Sequence, residues 1–598
     1  MAKRDRKVLM KKFKYAAMAI LLFSGLFLGG CGSDEDPAKA EMRSKAGINQ
    51  KIEGDYDETL AAVCNNGTYV GVPEGSVISY KGIPFAEPPV GELRWKDPVP
   101  AKDRDGVYEA AYFGKSPIQS EWFSELGSYY LQGEDCLTLN VWTNPEGPAE
   151  GKTVMVFFHG GSYGWGGTSD PLYDGHNLIE KYPDLVLVTA EYRTGIMGFI
   201  DFSDVPGGED YSTSGNLGLL DQVCALEWVK KNIGAFGGDP ENVTIFGESA
   251  GAGSVSLLPL IEGTDGLFKR IIMESGSPAF TYSREECRSL TEKLLKSSGC
   301  TDMAQLAALD EETLMELNED LNDYNNFPER DGVVLPEDLY GTWESSALEG
   351  IDVLSGTNRD EARYWIREMG NDIPAIIDVL MYKIQMTFMY ENNLKRLSSE
   401  EKALVKTFLR NQSGPKVWKL TEFYNELLFR VPALEMLARH KGNSYNYYWT
   451  MPCESKKLGA CHAVELAYVF NNPQADIYTG GLFNEKLADT VQEMWVNFAR
   501  TGDPGTKEYT WEPYTADSRK TMVLGDEIGM TTDLLEDQRE LIQPLMHHYF
   551  NGCYTGLDLM VPELWRLIGA GAAALALIVV CICLIVKALK KRWKKKGR

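Results

Sequence analysis

Apolar and polar positions along the chain predict buried strands that alternate with helices. Continuous apolar runs at 153–158 and 185–189 are typical of strands buried on both faces, as in the middle of a parallel sheet. Shorter apolar runs predict four further strands, at 243–246, 271–273, 353–355 and 445–449. Residues 221–233 repeat apolar positions at helical spacing. This alternation indicates an α/β fold with a large, mostly parallel central sheet flanked by helices. An alternating segment at 134–142 predicts one more, half-buried strand.

Residues 366–440 are mainly helical in pattern and rich in Met, Tyr and Phe. We expect them to form a helical insertion in the α/β fold. Two interpretations stay open for their apolar side chains. They either form the core of the insertion itself, or lie over the sheet and line a substrate pocket.

Both ends of the chain predict targeting or membrane segments. A basic stretch, 1–14, precedes an apolar run, which is a secretory signal pattern. Cys31 then follows as in a bacterial lipobox, where the cysteine is lipidated; the alternative is a chance cysteine after an ordinary signal. Residues 567–586 contain no charge and are long enough to span a bilayer as a helix. The basic tail 587–598 then belongs in the cytoplasm, which predicts a cell-membrane protein with its body outside.

These patterns divide the chain into six segments. They are a signal and lipobox segment (1–31), a linker (32–50), the α/β body (51–550), a juxtamembrane segment (551–566), a transmembrane helix (567–586) and a basic tail (587–598).

The charge distribution excludes a nucleic-acid partner for the body. The 598 residues carry a net charge of −26, whereas residues 1–14 carry +6 and residues 587–598 carry +8. The remainder therefore carries about −40, which repels a phosphate backbone. We expect this acidity to serve solubility.

Residues 247–251, Gly-Glu-Ser-Ala-Gly, are the centre of the candidate chemistry. They follow the predicted strand 243–246, and a helical pattern begins directly after them. A serine between two glycines at a strand-to-helix turn is a nucleophile elbow, in which the tight turn holds the Ser249 hydroxyl out at the top of the sheet. An ordinary glycine-rich loop is the alternative, but the order of strand, turn and helix favours the nucleophile.

The motifs around the elbow resemble those of the type-B carboxylesterases, the α/β-hydrolase family that includes cholinesterases and para-nitrobenzyl esterases. The resemblance runs from about Gly67 to Pro544. It rests on seven segments: 134–142, 159–161, 215–222, 236–240, 273–277, 498–499 and 502–504. It implies the α/β-hydrolase fold, a small-molecule ester as substrate and no cofactor.

A serine nucleophile needs a histidine base, and in this fold the chain order is serine, acid, histidine. Four histidines follow Ser249. His440 lies at a predicted helix end, and His547 and His548 lie close to the predicted membrane segment. His462 lies in a loop with Gly and Ala and matches the family's histidine segment, so we predict it as the base.

The acid is expected after a strand, in the segment 355–361. The resemblance selects Glu361, with Asp360 as its rival; Asp360 has an alternative role as a loop cap or as a partner of Arg359. Ser275 lies where the family has a second serine near the acid. We expect Glu248 and Glu465, in contrast, to be structural carboxylates.

The resemblance assigns the oxyanion hole to the backbone N–H groups of Gly161, Ser162 and Ala250. Backbone N–H groups placed in this way stabilise the negative charge of a tetrahedral intermediate. Ser162 stands where the family has a third glycine. If that position needs a positive φ, a serine there is strained.

The cysteines and histidines show no metal-ligand spacing. The sequence has no H-E-x-x-H and no paired C-x-x-C, so we predict no metal site. Disulfides are possible in three places: Cys453 with Cys461, Cys287 with Cys300, and Cys64 with Cys136. In the family the equivalent of Cys136 usually pairs upstream, at a position that is Pro117 here.

The prediction is thus a membrane-anchored, extracytoplasmic serine ester hydrolase that works through an acyl-enzyme. Two alternatives use the same fold: a non-catalytic adhesion or binding protein, and an amidase or transacylase. A cholinesterase is disfavoured, because Leu126 stands where those relatives place a tryptophan.

Overall fold

An eleven-stranded sheet forms the centre of the fold. We describe it from a computed structural model, in which residues 47–119, 131–321, 326–366, 375–473 and 482–551 are described. The strands within these ranges are β1 (Lys51–Ile52), β2 (Ala61–Cys64), β3 (Gly67–Val70), β4 (Val72–Glu74), β5 (Val77–Pro84), β6 (Val107–Glu109), β7 (Thr138–Thr143), β8 (Lys152–Phe158), β9 (Leu185–Ala190), β10 (Gly238–Glu248), β11 (Arg270–Glu274), β12 (Tyr282–Ser283), β13 (Glu329–Arg330), β14 (Asp352–Asn358), β15 (Ser444–Trp449), β16 (Lys520–Leu524) and β17 (Gly529–Thr532).

The α-helices in the same ranges are α1 (His176–Lys181), α2 (Gly195–Gly198), α3 (Leu217–Asn232), α4 (Ala250–Leu257), α5 (Arg284–Ser298), α6 (Met303–Ala307), α7 (Glu311–Leu321), α8 (Leu339–Trp343), α9 (Ala375–Arg396), α10 (Ser399–Asn411), α11 (Lys416–Tyr424), α12 (Val431–Arg439), α13 (Leu466–Phe470), α14 (Glu485–Thr501) and α15 (Glu536–Ile542). The segment Asn425–Arg430 is a π-helix. Short 3₁₀ helices include Glu361–Trp365 and Gln543–His548.

The central sheet is mostly parallel, as predicted. Its strand order is β17-β16-β15-β14-β11-β10-β8-β9-β7-β5-β4. Within the stretch from β16 to β9 in this order, every pair of neighbouring strands is parallel. The antiparallel pairs lie outside this stretch, towards the two edges of the sheet. Every residue of β8 and of β9 is buried, which agrees with the continuous apolar runs that predicted them.

The carboxyl ends of β10, β11 and β14 lie side by side. Glu248, the last residue of β10, is in register with Glu274, the last residue of β11. Glu274 is in turn in register with Gly356 of β14. The residues that directly follow these three strands therefore meet at one edge of the sheet, where open α/β sheets bind their ligands.

Strand β7 is shorter than its alternating pattern predicted. It begins at Thr138 rather than at Glu134. Glu134 instead forms a buried ion pair with Arg94, at 2.6 Å, and its carbonyl accepts a hydrogen bond from the Cys136 N–H at 3.0 Å. This short-range bond turns the chain before it reaches the sheet.

The predicted helical insertion is present. It contains α9, α10, α11, the π-helix 425–430 and α12, and the chain then enters the sheet again at β15. The insertion therefore connects two neighbouring parallel strands, β14 and β15.

The structure corrects the membrane part of the fold prediction. Across the described ranges, no helix is both long and apolar enough to cross a bilayer. Helix α9 has 22 residues, the length of a span, but its sequence includes Lys383, Glu391, Lys395 and Arg396. The predicted span 567–586 itself lies outside the described residues. The C-terminal transmembrane helix and the cell-membrane location are therefore not retained.

Other predictions for the two ends also lie outside the described residues. These are the signal segment 1–31 with Cys31, and the tail 587–598. Within the described part, Cys64, Cys136, Cys287 and Cys300 are free thiols. The pairs of Cys64 with Cys136 and of Cys287 with Cys300 are therefore not formed.

Candidate active site

The segment around Ser249 has the strand, turn and helix that the sequence predicted. Strand β10 ends at Glu248, Ser249 follows, and α4 begins at Ala250. Ser249 has φ 55° and ψ −118°, a strained backbone conformation for a residue with a side chain. Its N–H donates to the carbonyl of Glu274 at 2.8 Å. The residue is partly exposed, whereas both of its neighbours in the chain are buried.

The two glycines of the elbow are required by close backbone contacts. A Cβ on Gly251 would lie 1.9 Å from the carbonyl oxygen of Phe158, and one on Gly247 would lie 2.6 Å from the carbonyl carbon of Gly251. Real Cβ atoms do not approach other atoms so closely. The contact at Gly247 thus arises within the turn, whereas the contact at Gly251 comes from the end of β8.

The loop after β8 packs against the elbow. A Cβ on Gly160 would lie 3.1 Å from the Cβ of Ser249 and 2.6 Å from Oε2 of Glu248. Gly161 has φ 109° and Ser162 has φ 53°. Ser162 thus occupies the left-handed region, and the strain anticipated for a serine in place of glycine is present. No backbone hydrogen bond between described residues uses the N–H of Gly161 or of Ser162.

Glu361 and His462 lie in direct contact. Oε2 of Glu361 lies 2.6 Å from Nδ1 of His462, and both side chains are buried. An ionised carboxylate can only accept, so Nδ1 carries the hydrogen and donates it. The other carboxylate oxygen, Oε1, accepts from the Ser275 hydroxyl and from the Asn358 N–H, both at 2.6 Å. Three donors thus hold Glu361 in one orientation.

Asp360, the rival acid, points elsewhere. Its carboxylate forms ion pairs with Arg359 and Arg363, each at 2.9 Å. It also accepts from the Ala460 N–H at 2.9 Å. Asp360 therefore has the loop-supporting role that was its alternative, and it fixes the segment that leads to His462.

Asn425 of the π-helix holds the acid loop from the other side. Its Oδ1 accepts from the N–H of Ala362 at 2.8 Å, and its Nδ2 donates to the carbonyl of Arg359 at 3.0 Å. These two bonds bracket Glu361 in the sequence. The helical insertion therefore stabilises the backbone that carries the candidate acid.

Glu248 is the site residue whose contact the sequence did not reveal. It was expected to be a structural carboxylate, but its Oε1 lies 3.1 Å from Nε2 of His462. His462 thus has a carboxylate at each ring nitrogen. The signal available in the sequence was the position of Glu248, directly beside the candidate nucleophile.

The surrounding carboxylates raise the pKa of His462. Burial by itself lowers that pKa, but the negative charges of Glu248, Glu361 and Glu465 outweigh burial and raise it to about 9. Burial also raises the pKa of Glu465, to about 7, so this carboxyl gains a proton more readily than an exposed glutamate. Glu465 lies behind the acid, where its Oε1 is 3.4 Å from the Ser275 hydroxyl.

Aromatic side chains enclose the imidazole of His462. The ring of Phe429, from the π-helix, lies 4.9 Å from it, and the ring of Trp365 stacks on it at 6.2 Å and 18°. Tyr364 meets it edge-on at 5.5 Å. The insertion thus supplies Phe429 to the surroundings of His462, whereas its Phe408 and Phe423 pack on each other within the insertion.

The other candidate histidines are engaged elsewhere. His440 is buried between the Ser444 hydroxyl, 2.9 Å from Nδ1, and the Leu348 carbonyl, 3.0 Å from Nε2. Burial lowers its pKa, which favours the neutral imidazole. His547 and His548 contact Glu401.

Comparison with known proteins identifies the family of the chain. A model of the carboxylesterase family matches residues 65–541. The chain is 33% identical over 504 residues to a para-nitrobenzyl esterase of Bacillus subtilis (strain 168), an alignment that covers 80% of this chain and 97% of that protein. It is 31% identical over 516 residues to a cholinesterase of Mus musculus, with 79% and 84% covered.

Solved structures show the same relationship. A carboxylesterase of Geobacillus stearothermophilus superposes with a TM-score of 0.71 at 31% identity, covering 81% of this chain and 100% of that one. A PNB esterase gives a TM-score of 0.68 at 32% identity, with 81% and 99% covered. The chain therefore belongs to the type-B carboxylesterase family, and the protein is a serine hydrolase with the α/β-hydrolase fold.

Proposed function

We propose that the protein hydrolyses small carboxylic esters through an acyl-enzyme formed on Ser249, with His462 as the base and Glu361 as the acid. The observation that carries the proposal is the 2.6 Å contact between Glu361 Oε2 and His462 Nδ1. It occurs at the edge of the sheet where β10 ends in the strained turn of Ser249.

The proton movements follow from the hydrogen bonds of His462. Since Nδ1–H donates to Glu361, the lone pair of the neutral imidazole lies on Nε2. Nε2 accepts the Ser249 proton while the serine oxygen attacks the ester carbonyl, and then protonates the departing alcohol. Water repeats the same two steps on the acyl-enzyme, which releases the acid and restores Ser249. Glu361 accepts the hydrogen bond from Nδ1 and stabilises the imidazolium.

The oxyanion hole is assigned to the backbone N–H groups of Gly161, Ser162 and Ala250, which would bind the negative oxygen of the tetrahedral intermediate. Ala250 begins helix α4, so its N–H has no partner within the helix. Gly160 contacts the Ser249 side chain, which brings the loop of Gly161 and Ser162 to the same place. Each donor of this kind contributes about 3 kcal/mol to the transition state.

The test is turnover of a short aryl ester by purified variants. We expect Ser249→Ala to lower kcat by on the order of 10⁴-fold or more, with an unchanged thermal melt and no labelling by a fluorophosphonate probe. Wild-type turnover by this variant would rule out the nucleophile.

A matched pair of variants tests the acid. Glu361→Gln removes the charge at Nδ1 and should lower kcat by about 10⁴-fold. Asp360→Asn, one residue away, removes a carboxylate that contacts Arg359 and Arg363 instead. It should lower stability but leave kcat within about tenfold of wild type, because it does not touch His462. Equal losses of kcat in both variants would contradict the choice of Glu361.

A further inference from the structure

Three metal-binding side chains converge outside the candidate active site. Nε2 of His548 lies 2.9 Å from Oε1 of Glu401, and Nε2 of His547 lies 3.4 Å from the same oxygen. All three atoms lie within 4.8 Å of one another. Glu401 is in the first turn of α10, whereas the two histidines end the 3₁₀ helix Gln543–His548.

In His547 and Glu401, the polar atom that is not part of the cluster is hydrogen-bonded to the backbone. These bonds fix the orientation of the atom that faces the cluster. Nδ1 of His547 lies 3.1 Å from the carbonyl oxygen of Pro544. A carbonyl only accepts, so Nδ1 carries a hydrogen, and in the neutral imidazole the lone pair is then on Nε2, the nitrogen that faces Glu401. Oε2 of Glu401 accepts from the Ser398 N–H at 2.7 Å in a capping box, which leaves Oε1 for another partner. Such outer hydrogen bonds are typical of histidine and carboxylate metal ligands.

The backbone of the cluster is also held. Arg396 donates from Nη2 to the carbonyl of His548 at 2.6 Å, so the end of α9 fixes the 3₁₀ segment. The positive charge of Arg396 is opposed by Glu286, 3.9 Å away.

The ligand atoms of the three side chains face one another. Nε2 of His547 and Nε2 of His548 both approach one carboxylate oxygen, Oε1 of Glu401. Imidazole nitrogens and carboxylate oxygens are ligands of Zn²⁺, and these three atoms lie close enough together for one cation to bind all of them.

We propose that Glu401, His547 and His548 form a binding site for a divalent transition-metal ion of the Zn²⁺ type. The donors are one carboxylate oxygen and two imidazole nitrogens, a set that suits Zn²⁺. The His547 side chain is 64% exposed, so the fourth coordination position opens to solvent. The ion would tie the first turn of α10 to residues 543–548, which are far away in the chain.

The spacing search on the sequence could not find this site. Glu401 and His548 are 147 positions apart, and only the packing of the insertion against the C-terminal segment brings them together. The adjacent histidines alone form no recognised metal motif.

The experiment is Zn²⁺ binding to the full, tag-free chain, measured by competition with a chromophoric chelator. We expect one Zn²⁺ per chain, a higher melting temperature with Zn²⁺ than with chelator, and visible absorption bands when Co²⁺ replaces Zn²⁺. His547→Ala changes an exposed side chain and should weaken Zn²⁺ binding at least about tenfold. Ester turnover should not change, since His547 takes no part in it.

A second variant and a matched control complete the test. Glu401→Gln should weaken Zn²⁺ binding as much as His547→Ala does. Glu401 also belongs to the capping box of α10, so if Glu401→Gln does not fold, the result for His547→Ala decides the test. His176→Ala is the control, because Nε2 of His176 lies 3.9 Å from Oε2 of Glu180 without a third ligand in the cluster. Its Zn²⁺ affinity should equal that of the wild type. Wild-type affinity in His547→Ala, or an equal loss in His176→Ala, would overturn the proposal.

Discussion

The carboxylate of Glu248 at the outer nitrogen of His462 predicts an unusual pH dependence of catalysis. A general base must be unprotonated, and the three nearby carboxylates raise the pKa of His462 to about 9. We therefore expect kcat/KM to rise about tenfold per pH unit below pH 9 and to level off above it. At pH 7 only about 1% of the imidazole is neutral.

Glu248→Gln should move this transition to lower pH. Glu248 Oε1 and His462 Nε2 are 3.1 Å apart, which sets a ceiling of about 5 kcal/mol on their attraction at an effective dielectric constant of 20. Opposite charges at such distances shift a pKa by about 1 to 3 pH units. We expect the midpoint to fall from about 9 to about 7, so that half of the imidazole becomes neutral at pH 7.

The assay measures kcat/KM for a short aryl ester from about pH 5.5 to about pH 10. For each variant, kcat/KM at every pH is divided by that variant's plateau value at high pH, which gives the midpoint. Glu465→Gln is the matched control, because Glu465 is a buried carboxylate that contacts Ser275 rather than the ring nitrogens of His462. Its midpoint should move less than that of Glu248→Gln. A folded Glu248→Gln enzyme whose midpoint stays near that of the wild type would refute the reasoning.

Three further predictions concern stability and are checked by urea unfolding. Ser162→Gly relieves the left-handed backbone at φ 53° and should add about 0.5–1 kcal/mol to the free energy of unfolding; a decrease would contradict the strain. Gly251→Ala places a Cβ 1.9 Å from the Phe158 oxygen and should cost about 3 kcal/mol or prevent folding; normal stability would show that the elbow can widen. Arg94→Met leaves the buried Glu134 charge without its 2.6 Å partner and should cost about 3–5 kcal/mol; a cost near zero would show that the pair is dispensable.

Local patterns were sufficient for the sheet and the elbow. The apolar runs at 153–158 and 185–189 correspond to β8 and β9. They could be predicted because a strand that is buried on both faces is apolar along its whole length. The elbow at 247–251 could be predicted because its strand, turn and helix follow one another in one short segment, although the contact that excludes a side chain at Gly251 comes from the distant Phe158. At Glu134, where an ion pair with Arg94 and a short-range hydrogen bond from Cys136 hold the chain outside the sheet, the pattern predicted too long a strand.

Contacts between segments that are distant in the chain could not be predicted from the sequence. Asp360 and Glu361 are adjacent and chemically alike, and only the family resemblance favoured Glu361. In the structure, the first residue of a 3₁₀ helix turns towards His462, while its neighbour turns to two arginines. Likewise, Glu248 lies beside Ser249 in the sequence, but its contact with a loop more than two hundred positions later is seen only in the structure.

Asn425 forms two hydrogen bonds with the backbone on either side of Glu361. These bonds limit how freely the helical insertion can be replaced by protein engineering. The insertion connects β14 to β15, so an insertion from another esterase could be joined at the ends of these two strands. A graft that lacks an amide at the place of Asn425 would release the acid loop. Chimeras intended only to alter acyl preference would then lose turnover, and restoring that single side chain should recover it.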